Sequence, residues 1–453
     1  MKPYEKYKDT GIKWIGDIPE HWKTSRIGFI GNLYGGLSGK SGSDFINDEN
    51  LNNKPFIPFT NIFNNKYISK DHFQNVSIHE NEKQNLVKKD DLFFLMSSED
   101  YEDLGKCSVL IDDVGELYLN SFCKGLRLNT RNVSSIFLNY LLNSYVYKKI
   151  ISIEGRGFTR INLRLESLKG TKIIIPPLSE QTQIANYLDK KTAQIDDLIA
   201  KKEKLIELLK EERTATINHA VTKGIDPNVP MKDSGIEWLG EIPEHWQIKR
   251  IKHTTYVKGR IGWKGLRSDE FLEKSDSIVV TGTDFIEGRV NWETCYQVPK
   301  ERYDEDPYIQ LQEDDLLITK DGTIGKVAVV KDIPKIATLN SGVFVTRPIA
   351  NDYLQEYMYW ILVSDVFKTF YDYNKSGSTI QHLYQNVFDE FKYPKPPLEE
   401  QKAISEFIDL ENKRLSNLID KTKTQIELLK EYKTALISEV VTGKVDVRDE
   451  KIN

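Results

Sequence analysis

Cysteine is scarce in these 453 residues. The three that occur, Cys107, Cys123 and Cys295, are scattered without metal-ligand spacing, and an odd count argues against a disulfide framework. No apolar run approaches the roughly 20 residues that a membrane span requires. The first residues, MKPYEKYKDTGIKW, lack the apolar core of a secretory signal. The expectation is a bacterial or archaeal cytosolic protein without membrane contact. An excess of positive charge is missing too. The 63 lysines and arginines are outnumbered by 68 acidic residues, for a net charge of −5. That sum sits awkwardly with a phosphate-bearing partner, which calls for a basic footprint.

Catalytic signatures are absent as well. GGLSGKS (35–41) approaches a phosphate-binding loop, but Gly35 and Gly39 enclose three residues where that motif needs four. The chain carries neither a glycine-rich cofactor loop with an acidic partner nor an NPPY- or DPPY-type methyltransferase tetrapeptide. The ExK tripeptides at Glu400–Lys402 and Glu431–Lys433 have no Pro-Asp dipeptide to complete a nuclease site. The seven histidines form neither HExxH nor a Cys/His cluster. No catalytic residue, cofactor or metal is therefore expected in this chain.

What the chain does have is a duplication. Residues 9–27, DTGIKWIGDIPEHWKTSRI, recur at 233–251 as DSGIEWLGEIPEHWQIKRI, with 12 of 19 positions identical. The stretch 176–226, opening PPLSEQ, recurs from Pro396 to Asp446 with 22 of 51 positions identical. The offset drops from 224 to 220 between these anchors, which places four extra residues in the first half, around SSEDYEDLGK (97–106) against TKDGTIGK (319–326). Elsewhere only fragments survive: Asp90-Asp91-Leu92 with Asp314-Asp315-Leu316, Gly105-Lys106 with Gly325-Lys326, and Leu119-Asn120-Ser121 with Leu339-Asn340-Ser341. A framework kept in duplicate thus carries two modules that share a fold and differ in surface.

The repeated 51-residue unit reads as a long helix. Ile184, Leu188, Ile195, Leu198, Leu205 and Leu209 alternate at four and three residues, as do Ile404, Ile408, Leu415, Leu418, Leu429, Tyr432 and Leu436. Ile199, Ile206, Ile419 and Ile426 widen each stripe. Ser179 is the expected N-cap, and Gly224 and Gly443 sit where a C-terminal glycine belongs. Some 37 helical residues give a rod of about 55 Å. Because module termini tend to lie close together, the two helices should run antiparallel, with the modules at opposite ends about a pseudo-two-fold axis. The DTGIKWIGDIPEHW segment and its copy read as structural straps whose Trp14, Trp22, Trp238 and Trp246 pack into this scaffold. His21 and His245 pack there too. The modules read as mixed α and β: SIVVTG (277–282), DLLIT (315–319), KVAVV (326–330) and GVFVTR (342–347) are strand candidates, and 137–150 and 353–370 are helix candidates. The predicted class is α+β. Residues 1–175 form the first strap and module, 176–226 a central long helix, 227–395 the second strap and module, and 396–453 the second long helix and tail.

Paired GIxWxGxIPxHW segments, each followed by a module that ends in PPLxEQ and a long helix, resemble the specificity subunits of Type I restriction–modification systems. The resemblance spans essentially the whole chain. It implies a non-catalytic DNA-binding subunit in which each module reads one half of an asymmetric bipartite site and the helices fix the unread spacer. It further implies one copy of this chain per complex, two modification subunits that bring S-adenosylmethionine and methylate adenines, and restriction subunits that bring ATP- and Mg-dependent translocation and cleavage. Two basic stretches agree: 247–267 with a local charge of +7, and 148–172 with +5. The expected DNA contacts are polar or basic residues in glycine-rich loops. They are Lys40, Ser41, Thr60, Asn61, Arg156 and Arg160 in the first module, and Lys258, Arg260, Lys264, Arg267, Thr283, Asp284, Lys320 and Thr323 in the second. A fused nuclease–methylase would need several hundred further residues and catalytic motifs. A purely structural adaptor leaves the basic stretch at 247–267 without a purpose.

Overall fold

A computed structural model describes residues 2–45, 52–260, 266, 270–374 and 382–451. The chain forms two compact units, one comprising Met1–Glu203 with Thr424–Asn453 and the other Lys204–Lys423. The units cut across the boundaries expected from sequence order. Each gathers one strap, one module and about half of both long helices.

The long helices span Leu178–Lys223 and Leu398–Val441, 46 and 44 residues, so each is about 65–70 Å long rather than 55 Å. The first starts directly after Pro177, which leaves Ser179 inside the opening turn rather than at the cap. Gly224 and Gly443 end the helices at φ of +78° and +75°, the left-handed conformation a C-terminal glycine supplies. Pairing is antiparallel within each unit. In the first, Asp196 meets Lys433 and Lys202 meets Gln425 (2.7 Å each). In the second, Glu212 meets Arg414 at 2.7 Å, while Gly224 lies beside Glu400. The apolar stripe is a heptad seam, and Ile184, Leu188, Ile404 and Ile408 of the expected stripe are buried in full. Ile195, Leu209, Leu415, Ile419, Ile426 and Leu436 are buried, whereas Leu198 (42%), Leu205 (43%), Leu418 (37%) and Tyr432 (47%) are exposed. Of the residues read as widening the stripe, Ile419 and Ile426 are buried and Ile199 and Ile206 half-buried. Ile206 packs with Leu209, Leu415 and Ile419.

Each strap ties the start of one long helix to the end of the other. Trp22 and Trp246 are fully buried, and their indole N–H groups donate to Glu180 (2.9 Å) and Glu400 (3.0 Å). His21 and His245 meet the other oxygen of the same carboxylates, both at 2.8 Å. Gly443 lies against Pro19 and Trp22, and Gly224 against Pro243 and Trp246. The neighbouring glutamines, Gln181 and Gln401, are also fully buried. Their amides donate to the Pro176 and Pro396 carbonyls (2.8 Å each) and accept from the Ser134 and Leu354 amides (2.8 Å each). The repeated Glu-Gln pair therefore joins strap, helix and module. Trp14 and Trp238 depart from expectation: they pack on module helices, against Tyr147 (5.1 Å between rings) and against Phe370 and Tyr373 (6.1 and 5.4 Å).

Both modules are built on one plan. In the first, strands Gly31–Gly35, Cys123–Leu128, Leu92–Leu95 and Cys107–Val109 form an antiparallel sheet, and Tyr118–Leu119, Asn53–Ile57 and Gln74–Ser77 form a second, mixed sheet. In the second, Thr255–Gly259, Val343–Pro348, Leu316–Thr319 and Val327–Val329 repeat the first order, extended by Arg289–Val290 and Phe285–Ile286. Ile336–Leu339, Ser277–Val280 and Tyr296–Val298 repeat the mixed sheet. Strand Leu92–Leu95 matches Leu316–Thr319 at an offset of 224, and Cys107–Val109 matches Val327–Val329 at 220. The four extra residues thus fall between those strands, where a short 3-10 turn, Tyr101–Asp103, is inserted. Each helix candidate is two helices broken at a serine: Ser135–Asn143 and Tyr145–Ile153, then Gln355–Val363 and Asp365–Asn374. The Ser144 and Ser364 hydroxyls donate back to Leu141 and Ile361 (2.6 and 2.7 Å), which satisfies carbonyls freed at the break.

The surviving DDL fragments have a structural account. Asp90 and Asp314 take a left-handed turn at φ +68°. Asp91 and Asp315 then accept two guanidinium hydrogen bonds each, from Arg127 (3.0 and 2.6 Å) and Arg347 (2.6 and 2.7 Å) on the adjacent strand. Leu92 and Leu316 enter the core. What the halves share is framework.

Candidate nucleic-acid interface

Of the expected contacts, several prove to be occupied within the modules themselves. Lys40 is one of these: its side chain is only 3% exposed and its ammonium lies 2.6 Å from Glu82, which holds that carboxyl at about 2, far below the ordinary glutamate value. Asn61 is buried, donating to the Ser69 carbonyl (2.8 Å) and accepting from its amide (3.1 Å). Arg260 is buried as well, bonded to the Leu339 carbonyl (2.8 Å), Thr338 and Glu305. Burial depresses its pKa, and Glu305 opposes that. Asp284 closes its own turn by accepting from the Thr281 amide (2.8 Å) and from Thr294 (2.9 Å). These four are positioning residues of the fold.

The basic stretch at 247–267 is correspondingly weaker than its sequence charge. Arg250 and Lys252 both pair with Glu390 (3.0 and 2.5 Å), and Arg260 pairs with Glu305 (3.3 Å). Two carboxylates more than 40 residues away in sequence thus pair with three of its seven cations. Lys264 and Arg267 lie outside the described residues.

The remaining candidates are at or near the surface. Ser41 is exposed and opens a 3-10 turn by bonding Asp44 (2.7 Å); Thr60 is exposed on helix Phe59–Asn64. Lys258 is exposed on strand Thr255–Gly259, with its ammonium 6.0 Å from the Tyr308 ring. Thr283 and Thr323 are exposed at turn tips. Lys320 is half-buried 4.8 Å over the Phe344 ring, and burial lowers its pKa against the pull of Asp321. Arg156 and Arg160 are exposed on one hairpin of the first module, and no carboxylate among the described residues pairs with either. Arg156 donates to the Ile153 and Gly155 carbonyls (3.0 and 2.8 Å), while Arg160 stacks 5.0 Å over Phe122. Sequence reasoning had missed Phe122 and Phe158, aromatics exposed beside these arginines.

The duplicated architecture has relatives. The family described as Type I restriction modification DNA specificity domain matches residues 19–208 and again 243–430. The chain belongs to that family. A specificity subunit of this kind recognises DNA and leaves catalysis to other subunits. The chain is 24% identical over 454 residues to the type I restriction enzyme MjaVIII specificity subunit of Methanocaldococcus jannaschii, covering 98% of both chains. The fold is similar to that of the HsdS subunit from Thermoanaerobacter tengcongensis, with a TM-score of 0.61 over 94% of this chain and 98% of that one, at 14% identity. A structure described under complex assembly and conformational transition of the type I R-M system matches at a TM-score of 0.71 and 14% identity, covering 94% of this chain and 99% of that one. Among the described residues of this specificity subunit, no helix is long and apolar enough to cross a membrane, and no group of three or more His, Cys, Asp or Glu side chains is placed to hold a metal ion.

Proposed function

We propose that this specificity subunit reads an asymmetric, bipartite double-stranded DNA site, one half per module, with the two long helices setting the unread spacer. The observation that carries this reading is one fold with two surfaces. Residues repeated between the halves (Glu180 and Glu400, Asp91 and Asp315, Arg127 and Arg347) hold strap, helix and strands together. At matching sequence positions the halves differ: EGRGFTRIN (154–162) stands where the second half has NKSGSTIQH (374–382), and Phe122 where it has Gly342. Lysines and arginines at such positions would contact phosphates and fix register, while polar and aromatic groups meet base edges.

One copy of the chain would serve two modification subunits in the cytoplasm. They would supply S-adenosylmethionine and methylate adenines in the bound site, and restriction subunits would add ATP- and Mg-dependent translocation and cleavage. Exposed apolar side chains on the long helices, Leu198, Leu205, Leu208, Leu418 and Leu428, suit them to subunit docking. The test is a map of methylated adenines in cells carrying the native system and in cells where residues 247–395 are replaced by another specificity subunit's module. The swap is expected to change one half-site and leave the other half-site and the spacer intact. A site in which both halves change overturns the assignment of one half to each module.

A further inference from the structure

Phe158 is 104% exposed, the most exposed large apolar side chain among the described residues, and it sits at the tip of a rigidly mounted hairpin. The base of that hairpin is closed by a reciprocal pair of backbone bonds between Arg156 and Asn162 (3.0 and 2.9 Å). Below it, Ile161 and Asn162 pair with Ser98 and Ser97, and Ile161 and Leu163 are buried. The turn depends on Gly157: its φ of +137° is barred to ordinary residues, and a Cβ there would lie 2.0 Å from the Arg160 carbonyl. Gly155 is equally constrained, since its Cβ would strike Ile161 and Leu104 at 2.6 and 2.7 Å. The backbone therefore fixes the point from which the Phe158 side chain projects, although the ring itself touches little.

Single exposed apolar residues are ordinary on protein surfaces. What sets this one apart is its company. Arg156 and Arg160 flank it, Arg164 follows, and these exposed cations have no carboxylate partner among the described residues. The guanidinium of Arg160 lies over Phe122, a second aromatic that is 55% exposed. The Phe122 amide is held in place by the Asn120 side chain (2.9 Å). Aromatic rings interleaved with unpaired arginines suit a ligand that presents both phosphates and flat apolar surface, as nucleic acid does. A protein partner would favour carboxylates facing these arginines and a wider apolar patch around the ring.

We infer that Phe158 is a specificity-determining residue of the first module, pressed as a wedge against a base step of its half-site while Arg156 and Arg160 hold the flanking phosphates. The inference rests on the proposed DNA-reading function and adds to it a mode of contact, apolar and distorting, for which the second module has no aromatic at the matching sequence position. Strand pairing supports that register: Ser97 pairs with Asn162, and Asp321, 224 residues on, bridges to His382, 220 residues on. In this register serine 378, outside the described residues, stands for Phe158.

The test uses the full chain co-expressed with its modification subunits and duplexes carrying the site mapped by adenine methylation. 2-Aminopurine is placed at successive positions of each half-site. Apart from the adenines that the modification subunits extrude for methylation, wild-type complex is expected to raise fluorescence at one further step, in one half-site only. Phe158→Ala should abolish that rise and weaken binding about 10- to 100-fold, with the salt dependence of binding unchanged. Arg160→Ala should instead flatten the salt dependence by about one ion. Phe158→Trp should retain both signal and affinity. Full exposure of the ring means the melting temperature of Phe158→Ala should equal that of wild type, so that weakened binding is not unfolding. Unchanged affinity and fluorescence in Phe158→Ala overturns the inference while leaving DNA reading in place. Loss of subunit assembly instead of DNA binding overturns it in favour of a protein contact. Wild-type complex that shows no preference for the mapped site overturns the underlying DNA reading itself.

Discussion

Glu180 is 5% exposed and accepts from Trp22, His21 and Tyr4 on one carboxylate. Removing it strands buried donors, each at a cost of about 1–3 kcal/mol. Glu180→Ala is therefore expected to destabilise the chain by at least about 2 kcal/mol and lower the melting temperature of the affected unit by roughly 4–8 °C, read by calorimetry. Glu400→Ala should do the same through Trp246. Glu82 makes a second test. Its carboxyl is held at about 2 chiefly by hydrogen bonding to Lys40, helped by the His79 amide. A depressed acid contributes stability that is full above its unfolded value near 4.3 and is lost as pH falls toward 2. NMR at pH 3 should find Glu82 ionised in the native chain and largely protonated in Lys40→Met; an ionised Glu82 in the variant would mean Lys40 is not the cause. Both glutamates show where sequence reading stops. A PPLxEQ motif can be seen to repeat, yet what its acid grips lies some 160 residues away. The pairing of Lys40 with Glu82 is equally invisible, so a lysine in a glycine-rich loop passes for a DNA contact.

At the level of elements, the straps, the strands and the two long helices could be read from the chain because each repeats and each has a period or a glycine stop. Which of two adjacent apolar residues faces the partner helix could not. Leu198 and Ile199 are neighbours with similar hydropathy, and only the facing helix decides which is central. The two differ in what substitution does. Leu198→Asp places a charge on a side chain already 42% exposed and should shift stability by no more than about 0.5 kcal/mol. Leu415, 1% exposed in the cluster with Leu209 and Ile419, should cost about 2–4 kcal/mol as Leu415→Ala. Chemical denaturation of both variants measures this, and equal losses would count against the seam. The broken module helices were also hidden in the sequence, because apolar residues at helical spacing continue straight through Ser144 and Ser364. Each hydroxyl offers its own backbone an alternative partner, and tertiary packing takes it.

For the molecule as a whole, the proposed ruler predicts that spacer length follows helix length. A heptad inserted into both long helices, after Lys210 in the first and after Asn417 in the second, keeps the seam in phase and lengthens each by about 10.5 Å. At about 3.4 Å per base-pair step, the methylated site should open by about three base pairs while both half-sites stay as they were. A rewritten half-site would mean that the helices take part in reading bases. The two-module plan was legible because the chain repeats itself; which tips face DNA was not, since the tips are where the copies differ and no internal comparison can weigh them.

The bridge between Lys2 and Asp446 has a topological consequence. It seats the opening strap directly after the glycine that ends the second long helix, just as the other strap follows Gly224. The opening strap therefore packs against a helix end in the first unit just as the second strap does in the other. A chain opened between 224 and 231 and sealed across its old ends would present the same two readers in reversed order.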